Sequence, residues 1–444
     1  MKKIKLLIVM LVVLFCSTTS SYGVDHNYYL GEVQQSLSRW TGVAVTGEGR
    51  MFVTFPRANG IPCSVGEIVN GDVVPYPNLE WNNWSILSTA NNQFVNTNSV
   101  QIDQNNCLWV LDSGTLLGQL IPSGAKLVKI DLNTDSVLQV IYIDTCATPS
   151  ESFLNDFRID IQRGYAYITD SGLGAIIVVN LVTGQCRRLL SEHSSVKAED
   201  MLMVVNGQTV CWKVHVNGLA LNQNGEYLYY KALCGYALYR IPTSALIDTT
   251  FHNETVEYYV QLVIFTIPCD GMEFDAHGNL YFTGIEENTI YYLTPSLQFE
   301  TLITDSRLKY PDSFSITPNG DIYVSTSRTL HLPGYHHIFK VKIMPTDIAD
   351  FNINEPKVEL YQNYPNPFQS QTTIKYFIEK ESNVTLKVFD LLGRELSVIE
   401  KGTKEPGEHE VVFDNKNLTD GFYIYTLQIG NRTLTKKMVI ETLN

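Results

Sequence analysis

The chain has 444 residues, of which 44% are hydrophobic, 11% aromatic and 18% charged, with 29 glycines and 17 prolines. That is enough apolar surface for a large core and room for more than one domain, and it excludes a disordered chain or a coiled coil. A formal charge of −14 repels a phosphate backbone and argues against nucleic acid as a partner.

Met1-Lys2-Lys3-Ile4-Lys5, the apolar run 6–15 and the small residues of 17–23 have the three regions of a secretory signal peptide, with cleavage expected after Gly23. Cys16 follows Val13-Leu14-Phe15, which lack the small residues of a lipobox. No later apolar run approaches the ~20 residues that span a bilayer, so no transmembrane segment is expected. Without Lys2, Lys3 and Lys5 the formal charge is −17. Seven cysteines remain, at 63, 107, 146, 186, 211, 234 and 269. The odd count leaves at least one free thiol, and the absence of a CxxC pair gives no support to a zinc ribbon.

From residue 24 onward one segment recurs six times: a polar residue and a small residue open an alternating strand, a turn follows, then an aromatic-rich second strand. The copies open at Thr41-Gly42, Asn98-Ser99, Asn155-Asp156, Asn217-Gly218, Asp270-Gly271 and Asp312-Ser313. Their second strands read Met51-Phe52-Val53-Thr54, Leu108-Trp109-Val110-Leu111, Ala166-Tyr167-Ile168-Thr169, Leu228-Tyr229-Tyr230-Lys231, Leu280-Tyr281-Phe282-Thr283 and Ile322-Tyr323-Val324-Ser325. Turns such as Asn222-Gln223-Asn224-Gly225 and Pro318-Asn319-Gly320-Asp321 join them. Intervals of 57, 57, 62, 53 and 42 residues suit four short strands each. The expected fold is all-β: a six-bladed β-propeller over 24–345, whose ring buries the faces that one blade cannot.

Residues 346–357 are polar and read as a linker. A second module over 358–444 opens on Leu360-Tyr361-Gln362-Asn363-Tyr364-Pro365-Asn366-Pro367-Phe368 and has alternating segments at 373–377, 384–389, 408–413, 422–429 and 434–440. It is expected to be a small β-sandwich.

A closed ring places equivalent positions at one height around its axis. Thr41, Asn98, Asn155, Asn217, Asp270 and Asp312 should therefore encircle one mouth of the central channel. All six offer an oxygen, and Ca²⁺ takes six to eight oxygen ligands, so three or four of these side chains with water would suit it better than Mg²⁺. The competing reading is that Asn and Asp open strands through Asx-turns. His215 lies two residues before Asn217 and by alternation shares its side, as a base, a ligand contact or a polar strand end. Cys269 adjoins Asp270, either as a thiol at the mouth or as core. Trp81, in Pro75-Tyr76-Pro77-Asn78-Leu79-Glu80-Trp81-Asn82-Asn83-Trp84, would either stack a ring-shaped ligand over the mouth or pack under the rim. His331, His336 and His337 flank the last blade without metal-site spacing, and no G-x-S-x-G nucleophile motif occurs.

The tail resembles the type A C-terminal sorting domain of the type IX secretion system of Bacteroidetes-type bacteria. The likeness rests on Tyr364-Pro365-Asn366-Pro367-Phe368, Val388-Phe389-Asp390-Leu391-Leu392-Gly393-Arg394-Glu395, Gly421-Phe422-Tyr423-Ile424-Tyr425 and Lys436-Lys437-Met438. It implies export to the cell surface or beyond, with the secretion machinery as a partner. The propeller resembles the major royal jelly protein/yellow family through Phe52-Val53-Thr54-Phe55-Pro56-Arg57, Pro75-Tyr76-Pro77-Asn78-Leu79-Glu80-Trp81-Asn82, Asn155-Asp156-Phe157-Arg158-Ile159-Asp160 and Leu238-Tyr239-Arg240-Ile241-Pro242-Thr243. That family includes dopachrome-converting, amine-binding and nutritive members, so the resemblance implies a fold more firmly than a function. A more distant similarity to calcium-dependent lactonases of the gluconolactonase/regucalcin group implies metal or substrate contacts at Asn155, Asn217 and Asp270. Thr41 stands where those enzymes have a glutamate.

Two functions are thus expected. In the first, a small aromatic or amine ligand binds at the channel mouth among Thr41, Asn98, Asp312, His215 and Trp81. In the second, Ca²⁺ at Asn155, Asn217 and Asp270 serves a lactonase-like hydrolase or a dopachrome-type tautomerase.

Overall fold

Every blade begins with the hairpin marked by the repeat. The inner strands are Val43–Val45, Thr97–Ile102, Leu154–Asp160, Val216–Leu221, Cys269–Phe274 and Pro311–Ile316. Each pairs antiparallel with a second strand, Met51–Thr54, Cys107–Leu116, Tyr165–Asp170, Tyr227–Ala232, Leu280–Gly284 or Ile322–Thr326. The computed structural model describes residues 28–343 except 59 and 328–333, and residues 358–441 except 391–393, 416–417 and 430–431. The expected signal peptide, the linker and His331 lie outside the described residues.

Two further strands complete each sheet, giving six four-stranded sheets in a propeller. The inner strands pack on one another in sequence, blade one on two through to five on six, and blade six packs back on blade one. Closure is made by hydrogen bonds: the outermost strand of blade six is the N-terminal Tyr28–Ser36, paired antiparallel with His336–Ile343. Side chains from facing blades form the core between them, such as Trp109, Leu111, Phe157, Ile168 and Ile177 between blades two and three. This burial supplies the stability that no single sheet has alone.

Trp81 corrects one expectation. It sits in the short helix Leu79–Asn82, capped by Asn78, and its indole is 8% exposed among Phe52, Tyr76, Phe94 and Val110. Its ring centroid is 5.0 Å from that of Phe94. The Pro-rich loop thus drives this indole between blades one and two, not over the channel. Cys269 is likewise core, fully buried with Leu238, Met272 and Phe282, and burial pushes its thiol up to about 11.

The chain divides into two compact units, Met1–Pro345 and Thr346–Asn444. In the second, Val358–Leu360, Gln371–Ile378 and Gly407–Asp414 form one sheet, and Glu395–Lys404, Ser382–Phe389, Gly421–Ile429 and Arg432–Ile440 form the other. Alternate side chains, among them Ile374, Tyr376, Val384, Leu386, Tyr425 and Leu427, make its core. Glu395–Lys404 escapes the sequence reading because it is an edge strand, charged and broken twice in register against its neighbour.

Candidate functional site at the channel mouth

The ring positions owe their geometry to bulges. In five blades the register of the inner hairpin slips at the residues the repeat marks, between Thr97 and Ser99, Leu154 and Phe157, Val216 and Leu219, Cys269 and Met272, and Pro311 and Phe314. A bulge frees these residues from the ladder and re-aims their side chains. Hydroxyls on the second strands accept the freed amides: Gly42 N donates to Thr54 Oγ1 (2.9 Å), Asp156 N to Thr169 Oγ1 (3.1 Å), Gly271 N to Thr283 Oγ1 (2.9 Å) and Ser313 N to Ser325 Oγ (3.2 Å). Three of these hydroxyls reach the next blade, Thr54 donating to Asn98 O, Thr169 to Asn217 O and Ser325 to Thr41 O, each at 2.9 Å.

Thr41 and Asn98 join blades in the same way. Thr41 Oγ1 donates to Asn98 O at 2.7 Å and Asn98 Nδ2 to Leu154 O at 3.1 Å, and both residues are buried. Asn217 Nδ2 donates to Asp270 Oδ1 at 2.6 Å, while its buried Oδ1 has no hydrogen-bond partner among the described residues. Asn155 is half-buried on the bulge of blade three and is hydrogen-bonded to neither Asn217 nor Asp270 among the described residues.

The structure instead brings Asp270 and Asp312 together. Burial, then the Asp312 charge, pushes the Asp270 carboxyl well above the usual range, and burial pushes Asp312 up to about 6. Tyr310 donates its hydroxyl to Asp270, and the exposed Arg39 favours the ionised form of both acids. Tyr310 holds a left-handed backbone (φ 56°), and its ring meets Trp212 edge-on at 6.1 Å. The hairpin of Met203–Val205 and Gln208–Val210, inserted between blades three and four, packs on Tyr310 and on Ile285 of blade five. It therefore reaches across the ring at this mouth.

His215 belongs to that insertion's base. Its Nδ1 accepts from Ala198 N at 2.9 Å and its own N–H donates to Ser171 O. Burial, then Lys197, lowers its pKa. These contacts engage its imidazole with the insertion, and no hydrogen bond joins it to Asn217 among the described residues.

A second tier lies three residues beyond the ring: Ala44, Gln101, Arg158, Ala220, Glu273 and Ser315. Arg158 bridges the channel from blade three to Glu273 of blade five, with 3.0 Å to its Oε2, and pairs with Asp156 at 3.1 Å. Sequence reasoning passed over Arg158 and Glu273. Their signal was available, since two opposite charges occupy a tier otherwise small or neutral.

The propeller matches the major royal jelly protein family over residues 95–352, more than half of the chain. The chain belongs to the major royal jelly protein family. Similar relatives are major royal jelly proteins 5 and 3 of Apis mellifera. The first is 26% identical over 54% of this chain and 42% of its own length; the second is 22% identical over 83% of this chain and 64% of its own. The chain thus spans about half the length of the curated relatives it matches. A gluconolactonase from Xanthomonas campestris is among the similar solved structures, at 11% identity, covering 72% of this chain and 90% of its own, with a TM-score of 0.44. Residues 362–441 match the secretion system C-terminal sorting domain, so this family member carries a type IX export signal and is delivered to the cell surface or beyond. No helix among the described residues is long and apolar enough to cross a membrane.

Proposed function

We propose that this chain is an exported ligand-binding propeller that holds an aromatic amine at the ring mouth, its ammonium between Asp270 and Asp312 and its ring against Tyr310 and Trp212. The observation that carries this reading is the carboxyl pair on adjacent inner strands. A buried carboxyl raised by desolvation and by a neighbouring carboxylate, as Asp270 is beside Asp312, is relieved by a cation, and aromatic faces add attraction for it. Arg39, exposed and adjacent, stands in for that cation and swings away as the amine enters.

Calorimetry with tyramine tests this. Asp312→Asn is expected to lower affinity about tenfold or more, the loss of one charge-assisted interaction. Binding should also weaken below pH 6, where Asp312 takes up a proton. The stability sign follows: a carboxyl whose folded value is raised from 3.8 to about 6 favours the fold at low pH and loses that contribution as pH rises through 6. The free protein should therefore melt higher at pH 5 than at pH 7.5, and tyramine should narrow the gap. Tyramine heats unchanged by Asp312→Asn and by pH would sink the reading.

The unpartnered Oδ1 of Asn217 favours a second reading, with Ca²⁺ held by Asp270, Asp312 and that oxygen. When bound it would act as a Lewis acid toward a lactone. Calcium-dependent consumption of a lactone by the purified chain, lost in Asp270→Asn, would decide for it.

A further inference from the structure

Away from the carboxyl pair, the inner strands open into a funnel of about 900 Å³ toward the other mouth. Five of the six second-tier residues, all but Ala220, line it. Arg158 there is 6% exposed, with one guanidinium nitrogen on Asp156 and on Phe157 O, the other on Glu273 and Met272 O, and an Nε–H with no acceptor among the described residues. Gln101 accepts from Ile159 N through Oε1 (3.0 Å), which leaves its Nε2 donors for the cavity. Ser315 accepts from Val45 N (2.9 Å), which leaves its O–H to donate. Glu273 and Asp156 add further acceptor sites on their carboxylates.

Donors and acceptors are thus interleaved around one cavity. Arg158 is shared between Asp156 and Glu273, which leaves this group a formal −1; of the other lining acids, Asp103 and Asp275 accept hydrogen bonds from their own hairpins and Glu48 is exposed. An anionic ligand would meet Asp156 and Glu273, and a cationic one would meet Arg158. Hydroxyl groups, each both donor and acceptor, match the set without burying a charge. Phe274 and Phe314 belong to the lining but pack their rings against Tyr229 (5.1 Å) and Tyr281 (6.3 Å) in the cores between blades, so recognition rests on the polar groups. We propose that this funnel is a second binding site, separate from the acid pair, that takes a neutral polyhydroxylated ligand of the mono- or disaccharide class.

Saturation-transfer NMR and calorimetry on the full chain with methyl α-glucoside, cellobiose and myo-inositol test the proposal. At least one should bind, and Gln101→Glu, which keeps the acceptor for Ile159 N but removes the Nε2 donors, should weaken it about tenfold. Glu273→Gln should weaken it by a comparable factor, whereas Asp312→Asn at the ring should leave it within about twofold. Thermal melts of the same variants identify any that fail to fold. The proposal is overturned if none of the three probes binds, if binding survives both funnel variants in folded protein, or if glucosamine or glucose 1-phosphate binds more tightly than the neutral glucoside.

Discussion

Asp112→Ala is expected to destabilise the propeller by about 3–5 kcal/mol, the cost of leaving a buried charge without its partner. Asp112 and Lys126 are both fully buried in blade two, with Nζ 2.9 Å from Oδ2. The carboxylate also accepts from Val95 N (2.7 Å), Asn96 N (2.8 Å) and Gly114 N (2.9 Å), so it holds the loop that delivers the chain into inner strand Thr97–Ile102. Alanine strands the ammonium and orphans three amides together. Lys126→Met removes the cation but leaves those three donors on the carboxylate, so its penalty should be smaller, about 1–3 kcal/mol. The double variant should not recover fully, because methionine cannot accept from the loop. Tryptophan fluorescence in denaturant titrations measures this directly: all five tryptophans, at 40, 81, 84, 109 and 212, lie in the propeller, so the sorting domain does not contaminate the signal. Equal penalties for the two single variants would contradict the account.

The same device recurs in blade three, where Asp170 accepts from Phe153 N, Gly172 N and Ser152 Oγ and pairs with Arg188 at 2.7 Å. Its signal was in the repeat, just after the segments Leu108-Trp109-Val110-Leu111 and Ala166-Tyr167-Ile168-Thr169, where Asp112-Ser113-Gly114 and Asp170-Ser171-Gly172 align. More generally, whatever followed from periodicity was legible. Alternation, turn residues and spacing identified the hairpins, the ring positions and the two-sheet tail. What stayed hidden depended on departures from periodicity. The bulges at Asp270 and Asp312 and the backbone contact that engages His215 are such departures. The three-residue strands of the Met203–Val210 hairpin are too short to show a period, yet they pack on Tyr310 beside the carboxyl pair. Trp81 shows a third limit: composition marks a sticky indole without saying which surface it meets. The ring residues divide accordingly, with Thr41 and Asn98 committed to joining blades, and Asn217, Asp270 and Asp312 left with unbalanced charge or an unpartnered oxygen.

The glycine after three of the ring positions, Gly42, Gly218 and Gly271, makes a sharper prediction. A Cβ on Gly271 would lie 2.2 Å from Asp312 O, and one on Gly218 would lie 2.6 Å from Asp270 O. These glycines are therefore needed because the neighbouring inner strand passes where a side chain would start. Gly271→Ala must push blade six away from blade five, at a cost of about 1–3 kcal/mol for an overpacked contact made with backbone. Since it separates Asp270 from Asp312, it should also relax the push of the Asp312 charge on the Asp270 carboxyl and weaken tyramine binding, read by the same calorimetry. Gly47→Ala is the control, because the nearest atom to its Cβ, Asn319 Nδ2, is 3.8 Å away and its backbone is not left-handed. That change should leave stability the same or raise it by a few tenths of a kcal/mol through the unfolded chain, about the range for such substitutions. Denaturant midpoints for the two alanines, read from the propeller's tryptophans, should differ clearly. If they coincide, the inner strands are not packed backbone to backbone at the ring, and the carboxyl pair loses the scaffold that holds it together.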